Sequence, residues 1–260
     1  PRRFRARAQP AAGGAQGAGG LGHAAAEGGK GQVNKKVRLL RDYQIAAARA
    51  LQQAALPGKH RFLFEMATGT GKTLLSAAIA KLYLRTENAT RILFLVDRIE
   101  LEKQAHKNFN DYLAKDGIET VVYKERKSNW MNAQVVVTTI QSLAAHNRFL
   151  TDFAPTDFQL IISDEAHRTI SGNNRAIFEY FVGAKLGLTA TPRDYLKGLE
   201  QKDRQHDPRE YERRLLLDTY RTFGSEDGKP TFRFTLLDAV QHQPPYLVNP
   251  IALDARTEIT

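Results

Sequence analysis

Two strings, MATGTGKT at positions 66–73 and SDEAH at 163–167, constrain this 260-residue chain more than any other feature. A Gly-rich turn that ends in Gly71-Lys72-Thr73 and runs into a helix exposes consecutive backbone N–H groups where the helix dipole favours negative charge. Thr68, Gly69, Thr70 and Gly71 would line that cradle, Lys72 would reach the β- and γ-phosphates, and the Thr73 hydroxyl would bind Mg²⁺. The second string needs an apolar strand that delivers carboxylates to the same place, and FQLIIS at 158–163 is such a strand. Neighbouring side chains on an extended chain point apart, so Asp164 and Glu165 can hold different jobs. Asp164 is the expected Mg²⁺ partner, and Glu165 the group that orients and deprotonates the attacking water. Together the strings supply both halves of an ATP·Mg²⁺ site. SDEAH alone has a second reading, a helix N-terminus with Ser163 as cap and acids in the first turn.

A phosphate loop of this kind sits between a strand and a helix, and the surrounding pattern agrees. Strands are expected at 61–66, 91–96, 133–138, 158–163 and 185–189, with a further candidate at 120–123. Runs such as ILFLV and VVV lack polar alternation, which marks strands covered on both faces and hence a mostly parallel sheet between helix layers. Helices are expected at 72–84, 100–114, 140–145 and 174–181. Loop and acidic pair both fall just past strand C-terminal ends, where ligands bind in open α/β sheets. This places an α/β nucleotide-binding domain at 37–192. After Pro192 a segment charged with both signs follows; Pro208 can begin a helix that Gly224 ends, and TFRFTLLDAV at 231–240 resumes apolar patterning. We read 193–260 as a charged helical segment leading toward a further domain.

Residues 1–36 hold 9 of the 19 glycines and almost no large apolar side chain, so they read as a flexible basic tail. The opening lacks Met and an apolar stretch, which excludes a secretory signal; an Arg-rich, acid-poor start is compatible with a transit peptide, and a piece of a longer protein is expected. There are no cysteines, so disulfides, thiolate metal sites and thiol catalysis are excluded. No apolar run approaches a membrane span, and a cytoplasmic protein without a membrane partner is expected. The net charge of +10 favours a polyanionic partner, although the tail alone carries 7 basic residues against one acid.

Taken in order, the motifs resemble the first RecA-like motor domain of superfamily 2 helicases and translocases. Within them the chain is similar to the DEAH-containing motor of type I restriction enzyme R subunits and related type III-like restriction proteins. LRDYQ at 40–44 resembles the adenine-recognition motif, MATGTGKT the first motif, FLVDRIEL at 94–101 motif Ia, VVVTTIQSL at 135–143 motif Ib, SDEAHR motif II and GLTATPR at 187–193 motif III. DGKPTFRFTLLDAV and LVNPIALDARTEIT resemble the passage from the first motor domain into the second. The resemblance implies that Gln44 hydrogen-bonds the adenine edge and Tyr43 packs near the ring. Arg98, Thr139 and Gln141 would lie on the nucleic-acid track, and His167, Thr189 and Thr191 would couple that track to the nucleotide. Each of these strings also has an ordinary reading: an amphipathic helix start, a strand running into a helix, a turn after the last strand.

By the same resemblance the partners are duplex DNA, held through non-specific backbone contacts, and a second RecA-like domain that supplies an arginine finger. Methyltransferase and specificity subunits would complete the intact system. Met66 stands where the general phosphate-loop pattern has Gly or Ala. Two other functions stay open at this level, a P-loop phosphotransferase and a non-catalytic, nucleotide-gated nucleic-acid-binding module. The first needs an acceptor pocket or lid, and the second is opposed by Glu165.

Overall fold

The computed structural model describes residues 39–123, 130–169, 174–195 and 208–248. The tail expected at 1–36, residues 196–207 of the charged segment and the end of the chain therefore lie outside the described residues. Seven parallel strands form one sheet: β1 (Arg61–Met66), β2 (Ile92–Val96), β3 (Thr120–Val122), β4 (Val135–Thr139), β5 (Leu160–Asp164), β6 (Ala184–Thr189) and β7 (Phe232–Phe234). Their spatial order is β3-β4-β2-β5-β6-β1-β7, so β1 and β5 are separated by β6 alone. The helices are α1 (Asp42–Ala55), α2 (Lys72–Arg85), α3 (Ile99–Leu113), α4 (Ile140–Ala144), α5 (Arg148–Thr151), α6 (Ala166–Thr169), α7 (Asn174–Tyr180), α8 (Pro208–Leu217), α9 (Thr219–Thr222) and α10 (Leu236–Gln241). Among the described residues no helix is long and apolar enough to cross a membrane.

The unbroken apolar runs serve two cores at once, as strands buried on both faces must. Phe62, Phe64 and Met66 of β1 join Ile92 and Phe94 of β2 and Leu160 and Ile162 of β5 under α1, α2 and α3. The alternate residues Leu63, Leu93, Leu95, Val136 and Ile161 pack on the other face with Phe153, Phe178, Phe181 and Phe223. Register is therefore fixed, because a one-residue slip would exchange the two sets.

Most expected elements lie within two residues of those observed, and three of the differences have a physical reason. β5 begins at Leu160 and runs through Asp164, since Phe158 is a buried ring beneath the Arg91 guanidinium and Gln159 turns its side chain to the N–H groups of Thr90 and Arg91. The helix from Pro208 stops at Leu217 rather than continuing to Gly224. Asp218 breaks it: its backbone is extended, and its buried carboxylate accepts from the N–H of Arg221 and of Tyr195. Third, the sheet does not end at Pro192, for β7 lies beside β1 with Phe64 opposite Phe232 and Met66 opposite Phe234. Three residues with one exposed arginine between two phenylalanines are too short to read as a strand until β1 offers an edge.

Candidate active site

The two diagnostic strings both lie at the C-terminal edge of the sheet, where Lys72 of one approaches Glu165 of the other. β1 ends at Met66, the loop 67–71 follows, and α2 opens with Lys72. Gly69 and Gly71 take left-handed φ of 82° and 76°, which side chains other than glycine's resist. A Cβ at Gly71 would stand 2.8 Å from the Gln44 amide nitrogen. That closeness reflects how the loop is tied. Tyr43 Oη donates to the Thr70 carbonyl at 2.6 Å, and Gln44 Nε2 donates to the carbonyls of Thr70 and Gly71 at 3.1 and 3.2 Å. The Ala67 N–H donates to the Phe234 carbonyl at 3.0 Å, and the buried Thr70 hydroxyl donates to Ala67. Thr68, Gly69 and Gly71 are exposed, and Thr73 is half-buried in the first turn of α2.

Opposite the loop, Ser163 is buried inside β5, so SDEAH is a strand end and not a capped helix start. Asp164 closes the strand, and Glu165 turns out of it with φ of 48°, a strained conformation for a residue with a side chain. The strain aims the carboxylate inward. Glu165 Oε1 lies 3.6 Å from Lys72 Nζ and its Oε2 lies 3.5 Å from His167 Nδ1. His167 Nδ1 is also 2.8 Å from the Thr189 hydroxyl, which accepts the Thr191 N–H at 3.1 Å. Burial, only partly offset by Lys72, pushes the Asp164 carboxyl up to about 6, with the negative charges of Glu165 and Asp97 adding to the rise. Burial likewise holds His167 below its ordinary value, so its ring is neutral at pH 7.

These groups suit a divalent cation that brings its own oxygen ligands. No group of three or more His, Cys, Asp or Glu side chains able to cage a metal occurs among the described residues. One hydroxyl (Thr73) and one carboxylate (Asp164) are the sparse, hard-oxygen set by which Mg²⁺ is held when phosphates and water fill the remaining positions. Burial disfavours the charged form of Asp164, so an arriving cation would stabilise the carboxylate that burial penalises.

The residues assigned by resemblance to the base and to the track are placed less uniformly. Tyr43 is buried, with its ring stacked on Phe234 at 4.0 Å and the Tyr246 edge at 4.9 Å. Gln44 is buried too, and its oxygen accepts the Arg41 N–H, so a base edge reaches this amide only by displacing a bond. Thr139 is buried and caps α4, accepting from the Ser142 N–H. Gln141 is exposed and shares a cleft with Asp97, Asp164, Glu165 and Arg168. Arg98 is largely exposed beside Asp97. Three residues were not singled out in the sequence. Asp97 pairs with Arg168 at 2.8 Å and so joins the FLVDRIEL and SDEAHR strings; Glu102 accepts the Thr139 N–H at 2.7 Å. Asp97 and Arg168 lie within strings already noted, but nothing local separates Glu102 from the other charges on α3.

Residues 38–194, more than half the chain, match the family described as type III restriction enzyme, res subunit. The chain belongs to that family. The matched range spans the phosphate loop, the acidic pair and Thr189 to Thr191, and stops before β7. Among curated relatives, the endonuclease subunit of type I restriction enzyme SauMSSORF170P from Staphylococcus aureus strain MSSA476 is 32% identical over 173 residues, covering 62% of this chain and 18% of that protein. The endonuclease subunit of type I restriction enzyme EcoKI from Escherichia coli K12 is 30% identical over 177 residues, covering 59% of this chain and 15% of that protein. This res-subunit chain thus spans less than a fifth of the length of those relatives. A solved structure of a nuclease-deletion mutant of the type ISP restriction-modification enzyme LlaGI, in complex with a DNA substrate mimic, shares its fold. The TM-score is 0.51 at 24% identity, over 78% of this chain and 20% of that one.

Proposed function

We propose that this chain is the ATP-binding and ATP-hydrolysing motor portion of a DNA-dependent translocase of the type I restriction R-subunit kind. The observation that carries the reading is the meeting of Lys72, which follows β1, with Asp164 and Glu165 at the end of β5, at one edge of the sheet. The loop N–H groups would bind the phosphates, and Lys72 would leave Glu165 for the γ-phosphate, whose charge exceeds that of one carboxylate. Glu165, released, would take the proton of an in-line water. When bound between Thr73 and Asp164, Mg²⁺ would neutralise phosphate charge. The contact from Glu165 through His167 to Thr189 and Thr191 would carry the state of the nucleotide to the strand ends where Gln141 and Arg98 face solvent. Names of relatives that are restriction endonuclease subunits, and a neighbour bound to a DNA mimic, support DNA as the track.

ATP turnover with and without duplex DNA, for residues 37–260 and for a chain extended through a second motor domain, tests this function. The short form should turn over little, because an arginine finger from the second domain is worth roughly 10³–10⁵ in rate. The extended form should respond strongly to DNA. Vigorous DNA-dependent turnover by the short form would show that the site is completed without a second domain.

A further inference from the structure

We propose that residues 232–247, beyond the matched family range, form a collar that holds the phosphate loop in its binding shape, with Leu247 and Phe234 as positioning residues for the triphosphate. The proposal rests on the nucleotide site described above and deepens it. The loop is gripped from two sides. Tyr43 and Gln44 of α1 hold the carbonyls of Thr70 and Gly71, while the returning segment holds the loop's other end. There the Phe234 carbonyl accepts the Ala67 N–H at 3.0 Å, and the Phe234 ring stacks at 4.0 Å on Tyr43, fixing the phenol that reaches Thr70. Beyond α10 the chain doubles back, because the N–H groups of Tyr246 and Leu247 both donate to the Ala239 carbonyl. That turn sets Leu247 against the crown of the loop, its Cδ2 3.2 Å from where a Cβ on Gly69 would be.

Phe234 is buried in the core and Leu247 packs against that same core, but Leu247 is only half-buried and also covers Gly69, an exposed glycine of the loop, which core closure does not require. A Gly-rich loop has many conformations of similar energy, and only one offers a row of N–H donors to phosphate. Restricting it beforehand lowers the entropy cost of binding. If the loop without Leu247 holds its binding shape only about one-tenth to one-fifth of the time, apparent affinity falls about five- to tenfold, whatever is attached to the phosphates.

The test is equilibrium binding of Mg·ATP and of Mg·tripolyphosphate to the whole chain, with thermal unfolding recorded in parallel. Leu247→Ala should weaken both ligands by the same five- to tenfold, leaving their affinity ratio unchanged, and Leu247→Met should restore both to within about twofold. Unchanged affinities in Leu247→Ala, or a loss confined to ATP, would overturn the collar; the latter would make Leu247 a base contact. A fall in unfolding temperature with both affinities intact would leave Leu247 a merely structural residue and overturn the collar equally. Lys72→Ala on the wild-type background separates the two levels. If it is without effect on tripolyphosphate, the site itself fails and the collar with it; if it weakens binding while Leu247→Ala does not, only the collar fails.

Discussion

The two edges of the sheet carry the same kinds of side chain in opposite states. At the N-terminal edge Arg61 makes a two-pronged pair with Glu179 at 2.9 and 2.5 Å and donates to the Thr222 carbonyl, and Lys185 donates to the Phe181 carbonyl at 2.7 Å above the Phe178 ring. At the C-terminal edge Lys72 makes, among the described residues, only loose contacts, 3.5 Å to the Met66 carbonyl and 3.6 Å to Glu165. Lys185 is 4% exposed and Lys72 is 9% exposed, so burial does not tell them apart. What does is bonding capacity left open. Arg61, Glu179 and Lys185 satisfy one another and nearby carbonyls, and their charge is structural. Lys72 and Glu165 face each other at a distance looser than a hydrogen bond, with Asp164 near enough for both charges to act on it, so a phosphate and its cation can engage all three.

The largest effect that can break this contrast is at Glu165. Glu165→Gln keeps size and polarity but cannot take a proton, so turnover in the extended protein should fall about 10²–10⁴-fold while Mg·ATP binding stays within a few-fold. Steady-state turnover beside nucleotide titration reads both. Near-normal turnover would place the base elsewhere and make Glu165 as structural as Glu179.

The next is a pH effect at Asp164, whose carboxyl burial raises to about 6. Because the folded value lies above the unfolded one, the native state takes up the extra proton between about 4 and 6. Stability from this group is present at low pH and lost as pH rises through about 6. Asp164→Asn should therefore raise the unfolding free energy more at pH 7 than at pH 4, while removing Mg²⁺-supported ATP binding at pH 7. In the wild type that binding should weaken about tenfold for each pH unit below 6, as the carboxylate protonates. An equal stability change at both pH values would show that Asp164 is not held as described.

The smallest effect belongs to Lys185, whose ammonium burial lowers to about 8, with Arg61 contributing to the fall. Between about 8 and 10.5 the unfolded chain holds the extra proton, so stability from this group rises with pH across that window. Lys185→Met removes a desolvated charge and two donated bonds together, and urea unfolding at pH 7 should find it within about 1 kcal/mol of wild type. ATP affinity should not change. A loss of several kcal/mol, or weaker nucleotide binding, would erase the distinction between the two edges.

What could be read before folding follows from sequence distance. The phosphate loop and the acidic pair are each contiguous, because one must present successive N–H groups and the other must leave a strand end, so local spelling exposes them. β1, β2, β4, β5 and β6 were equally plain, since strands buried on both faces have no polar alternation to confuse them. β7 was not, because Phe232 to Phe234 gains its meaning only from an edge of β1 some 168 residues earlier, as the Arg233–Glu65 pair shows. The same holds for Gln44. Resemblance implies a base contact for it, and the bonds its amide makes to the loop are to residues distant in sequence. Asp218 shows a third limit, where one buried carboxylate that accepts N–H groups from two segments overrides the helix propensity around it.

The most direct test of the site is calorimetric titration of Mg·ATP into the wild type and Lys72→Ala, repeated without Mg²⁺. Hydrogen bonds from a cation to phosphate are worth about 1.5–3 kcal/mol, so Lys72→Ala should bind about 10- to 100-fold more weakly, and wild-type binding should depend on Mg²⁺. Equal affinity of Lys72→Ala and wild type, or binding indifferent to Mg²⁺, would contradict a nucleotide site at this edge of the sheet.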